Sequence, residues 1–153
     1  MPQKKFSFDS KPVRVFLIIL CIVLSFVMYM QRRTKKYYRE AVKLPFYNVQ
    51  PADVADGTYR GKTYTRFLHV QLDVTVEAGR LTKIEIVENE GIGGKNITPL
   101  LDEMIAQNDS VVQALKDDEL ASIVFIACVD DALFKGLPES RQLELKKTED
   151  EQK

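Results

Sequence analysis

Gly91-Ile92-Gly93-Gly94-Lys95 is the glycine-rich loop of the chain, and clustered glycines let a backbone come close to a flat or phosphorylated ligand. The loop lacks the GxxxxGK[ST] and GxGxxG spacings of nucleotide sites, so by itself it reads as a strand-to-helix connection. Three other places carry groups capable of chemistry. His69 is the lone histidine and falls on the polar side of an alternating strand, where a surface role is expected over a general base. Ser122 has no GxSxG context and stands in the first turn of a helix. Asp117, Asp118 and Glu119 gather at that same helix start, where acids complement the macrodipole, and their spacing matches no EF-hand loop. Cys21 and Cys128 belong to no CxxC or Cys/His pattern, so neither a disulfide nor a zinc site is expected.

The elements that position these residues follow from periodicity. In FLHVQLDVTVE, Leu68, Val70, Leu72, Val74 and Val76 alternate with His69, Gln71, Asp73 and Thr75, the pattern of a strand with one buried face. Ala78-Gly79 supplies a turn and RLTKIEIVE the partner strand. Before them, Asp56-Gly57 opens a shorter first strand, TYRGKTY. After the glycine loop, Thr98 caps a helix starting at Pro99 and running to near Asn108. A second helix spans about Asp118 to Phe134, capped by Asp117 or Asp118, buried through Leu120, Val124, Ala127 and Ala132, and ended by Gly136 and Pro138. Strands followed by helices without βαβ alternation imply an α+β fold, a small antiparallel sheet with helices packed on one face.

Charge and hydropathy divide the chain further. Val15 to Met30 carries no charge and rises roughly 24 Å as a helix, enough for a transmembrane anchor if Arg14 and Arg32 snorkel. SFVMYMQRR offers no small-x-small cleavage site, which favours an uncleaved anchor over a signal peptide. The formal net charge is zero, yet residues 1–43 carry +8 and the remainder −8. Basic residues flanking an apolar run belong beside lipid headgroups, and an acidic domain without a basic patch argues against a nucleic-acid partner. The expected partition is a basic segment at 1–14, the anchor at 15–30, a juxtamembrane segment and linker at 31–55, the domain at 56–137 and a charged tail at 138–153, disordered or a frayed helix. Basic residues on both flanks of the anchor give only a slight lean toward a cytoplasmic domain.

Taken in order, these pieces resemble the FMN-binding domain family, which includes the flavin-carrying extracytoplasmic subunits of sodium-pumping NADH:quinone oxidoreductases. The resemblance rests on the Asp56-Gly57-Thr58-Tyr59-Arg60-Gly61 start, the hairpin HVQLDVTVEAGRLTKIEIVE, the Gly91-Ile92-Gly93 loop and the helix after it. It implies FMN with Gly91, Ile92, Gly93 and Gly94 near the ring, Lys116 and Ser122 near the phosphate, an electron-transfer role beside a membrane redox complex or flavoprotein partner, and a domain outside the cytoplasm. The family's Asp-x-x-Ser-Gly-Ala-Thr signature is replaced. Aligned on VDDAL, Gln113 stands at the aspartate, Lys116-Asp117-Asp118-Glu119 at Ser-Gly-Ala-Thr, and Ser122 keeps the nearest hydroxyl. A carboxylate cannot accept flavin as a phosphoester, and one like-charge contact with phosphate at about 4 Å costs on the order of 4 kcal/mol at an effective dielectric of 20. The expectation is therefore non-covalent flavin in electron transfer. The alternative is a domain that kept the fold, lost the flavin and serves as a membrane-tethered binding or assembly module.

Overall fold

The computed structural model describes residues 11–65, 68–90, 96–116 and 118–151, and it divides the chain into two compact units, Met1–Tyr37 and Tyr38–Lys153. Helix α1, Lys11–Ala41, runs without a break through the apolar run and on to Ala41. It is the one helix among the described residues long and apolar enough to cross a membrane, and its apolar side chains from Val15 to Met30 are exposed within the chain's own fold.

The second unit is α+β, as the patterning predicts. Strands β1 (Gly57–Tyr64), β2 (His69–Glu77) and β3 (Arg80–Glu90) form one antiparallel sheet in the order β1-β2-β3. In β2, Val70, Leu72, Val74 and Val76 are wholly buried while their neighbours are not, so the alternation of the sequence is the burial pattern of the strand. Each such side chain removed from water contributes roughly 1.5–3 kcal/mol, which fixes the register, since a one-residue slip would expose all of them. Ala78 and Gly79 both take positive φ, 51° and 71°, the tight two-residue turn whose twist matches the strands. Two register shifts, opposite Gln71/Leu72 and Thr75/Val76, place bulges in β3.

Helices α2 (Thr98–Gln107) and α3 (Glu119–Lys135) lie on the inner face, α3 against β1 and β2 and α2 against β3. Phe125, Cys128, Val129 and Leu133 of α3 and Leu100 and Met104 of α2 fill the core with the β2 residues. Gly61 is demanded by this packing. A β-carbon there would collide with the Cys128 carbonyl of α3. Leu120, expected on the buried face, is only half-buried.

Three details differ from the expectations. Thr98 does not cap α2; it is the first helical residue, and the Asn96 carboxamide accepts from its N–H at 3.1 Å. The tail is helical, α4 running Glu139–Glu151, because Glu, Arg, Gln, Leu and Lys are good helix formers and Pro138 suits the position just before it. The stretch treated as linker before Asp56 packs onto the domain: Ala41, Val49, Pro51 and Val54 are buried, and a short 3-10 turn, Pro51–Asp53, lies against the β2–β3 turn at Gly79.

Candidate functional site

Of the residues singled out by the sequence, Lys116, Asp118, Glu119 and Ser122 lie at the start of α3. Asp118 is the cap, its carboxylate accepting from the Ala121 N–H at 3.1 Å. Ser122 is fully buried one turn in, and its hydroxyl is used twice: it donates to the Asp118 carbonyl at 2.9 Å and accepts from the Leu115 N–H at 2.9 Å. The Asp118 N–H in turn donates to the Leu115 carbonyl at 3.1 Å. Lys116 sits exposed, and Glu119 accepts from the Tyr38 hydroxyl at 3.3 Å. Asp117 lies outside the described residues, as do Gly91, Ile92, Gly93, Gly94 and Lys95, the loop predicted to approach the flavin ring.

A helix N-terminus attracts anions because its first N–H groups lack intrahelical partners. Here the protein brings its own anion. With Asp118 on the Ala121 N–H and the Ser122 hydroxyl spent on Leu115 and Asp118, these two residues are engaged within the chain, and a second anion would meet the Asp118 carboxylate, while Lys116 stays exposed beside them. As placed, Asp118 and Ser122 do not fit an FMN phosphate.

The open face of the sheet carries the other polar groups. Arg60 grips Asp73 in a two-pronged pair, both contacts at 2.7 Å, which holds the Asp73 carboxyl below its ordinary range. His69 packs edge-on to Tyr64 and lies 3.7 Å from Glu90. It therefore faces away from the helix layer that contains Ser122, so the fold brings no nucleophile and base together from these two. Cys128 is buried at the helix–sheet interface, where burial above all pushes its thiol up to about 11, leaving it unreactive. Compared with family models, curated proteins and solved structures, the chain matches none.

One residue that the sequence reading passed over proves central. Asp130 is fully buried in α3, and its two oxygens accept from the Tyr47 N–H at 2.5 Å and the Val49 N–H at 2.8 Å. Between those residues Asn48 takes φ 52°, which lets the two flanking N–H groups converge on one carboxylate. Burial pushes the Asp130 carboxyl up, and the backbone N–H groups oppose the shift. The neighbouring Asp131 accepts from the Lys62 N–H of β1 at 2.8 Å and from Lys135 at 2.5 Å. The adjacent acids thus hold the segment entering from α1 with one carboxylate and the edge of the sheet with the other. The available signal was a charged pair inside an otherwise apolar helix, since buried charge survives only where it is hydrogen-bonded.

Proposed function

We propose that this protein is a membrane-anchored domain built on an FMN-binding-type plan that has given up its flavin phosphate site and works as a tethered binding or assembly module. The observation supporting this reading is the start of α3, where the Asp118 carboxylate occupies the Ala121 N–H and the Ser122 hydroxyl is spent within the chain. The anchor is α1, held in the bilayer by its charge-free run, and the domain faces away from the cytoplasm, as in the flavin carriers it resembles. The protein's partners are then the membrane and other proteins of it.

A second reading keeps non-covalent FMN and electron transfer beside a membrane redox partner. What favours it is order: the Asp56–Gly61 start on β1, the hairpin, and Gly91 to Gly94 directly after β3 follow the flavin-binding sequence of elements. Titrating FMN and riboflavin against the full-length protein and against a variant with Lys116-Asp117-Asp118-Glu119 replaced by Ser-Gly-Ala-Thr separates the two. The module reading expects neither form to bind. If the wild type binds FMN weakly and the replacement gains roughly fivefold or more for FMN but not riboflavin, the flavin reading holds instead.

A further inference from the structure

The two edges of the sheet are treated differently. On β1 two outward backbone groups at the middle of the strand are held by α3, the Lys62 N–H donating to Asp131 at 2.8 Å and the Arg60 carbonyl accepting from Lys135 at 2.9 Å. On β3 the Leu81 N–H is taken by the Asn108 carboxamide at 2.8 Å, and beyond it no outward backbone group of the strand has a partner among the described residues. The reason is length. Asn108, the left-handed cap of α2, is pinned to the start of β3 through Leu81 and the Gly79 carbonyl. From there a ten-residue helix reaches back roughly 15 Å, while the eleven-residue strand extends roughly 35 Å. The helix layer ends before the strand does, and Ile86 and Val87 stand 42% and 48% exposed.

We infer that the outer edge of β3 over Ile84–Glu90 is a docking strand for an extended, basic segment of a partner protein, which pairs with it as a fourth strand. This rests on the module reading and names its partner. Main-chain hydrogen bonds from a free edge give such a contact its affinity, and side chains alternating above and below give it specificity. The chemistry of the occupant follows from charge. The stretch IEIVENE carries Glu85, Glu88 and Glu90, with Glu85 and Glu90 well exposed; Lys83 just before it pairs with Glu85 at 2.8 Å, which leaves the stretch acidic by two charges. A second copy of β3 running antiparallel would set these acids against each other, which destabilises directly opposed pairs. A segment alternating lysine or arginine with valine or isoleucine meets both the acids and the exposed Ile86 and Val87. The bulge opposite Gln71/Leu72 bends the strand and keeps the paired stretch short.

The test uses the full chain in detergent micelles and a synthetic peptide of about eight residues alternating lysine and valine, with a glutamate-for-lysine peptide as its counterpart. Binding by anisotropy is expected for the lysine peptide alone, with slowed amide exchange confined to Ile84–Glu90. The double variant Glu85→Lys, Glu90→Lys should weaken it at least tenfold. The same charge change on α4, Glu139→Lys with Glu144→Lys, should leave affinity within about twofold, because simple attraction between exposed charges is screened. Absence of binding, protection elsewhere, equal loss in the α4 variant, or self-association that protects the same amides would each overturn the assignment. FMN titrated into the same sample reports on the module reading independently, so failure of one is distinguishable from failure of the other.

Discussion

Removing the Asp130 carboxylate should loosen one segment of the molecule before any other. In Asp130→Ala the Tyr47 and Val49 N–H groups lose their acceptor, and the Val49 bond is buried. An orphaned buried donor costs about 1–3 kcal/mol, and the more accessible Tyr47 N–H regains part of its share from water. Relief of the buried charge returns some of the loss, since burial already pushes this carboxyl up. The net expectation is a loss of about 2–3 kcal/mol, a fall in Tm on the order of 10 °C for a unit of this size. The pH dependence has a definite sign. A carboxyl whose folded pKa is raised contributes stability that is present below its ordinary value near 3.8 and is lost as the pH rises through the folded value. The stability of the wild type relative to Asp130→Ala should therefore grow as the pH falls through that window. Thermal unfolding of the full chain in micelles at several pH values, with amide exchange at Tyr47 and Val49, measures both effects. A loss under about 1 kcal/mol, exchange at those amides no faster than in the wild type, or a difference that shrinks on acidification would refute the reasoning.

Other consequences are simpler to read. Gly61→Ala should destabilise the domain by about 1–3 kcal/mol, seen as a lower Tm, because the new methyl meets the α3 backbone. Ala78→Asn should stabilise it by about 0.5–1 kcal/mol in denaturant unfolding, since asparagine tolerates the left-handed φ of 51° that alanine resists. A cysteine introduced at the exposed Glu139 should react with a membrane-impermeant label in intact cells if the domain faces outward; labelling only after permeabilisation would place it in the cytoplasm.

What the sequence shows plainly is what short-range physics decides. The strict alternation of β2 and the Ala78-Gly79 turn specify the hairpin, and Asp118 and Gly136 bracket α3, because capping and patterning act within a few residues. The α4 helix was harder to read, since its charged pattern announces no buried face and only propensity favours it. The packing of the segment before Asp56 is not local at all: Val49 meets Asp130 across 81 residues of chain, and the conformation that allows it is a single left-handed Asn48. At the start of α3 the residue types were visible but their use was not. Ser122 looked like the last hydroxyl of a phosphate site, and its bonds to Leu115 and Asp118 turn it inward.

The most direct measurement of the central claim is the visible spectrum of the full-length protein extracted from its own membranes, followed by addition of FMN with its fluorescence recorded. A helix start already closed by Asp118 predicts no flavin band on isolation and no quenching of FMN at concentrations up to about 1 mM. A flavin band that survives purification, or quenching that saturates at micromolar FMN, would contradict it.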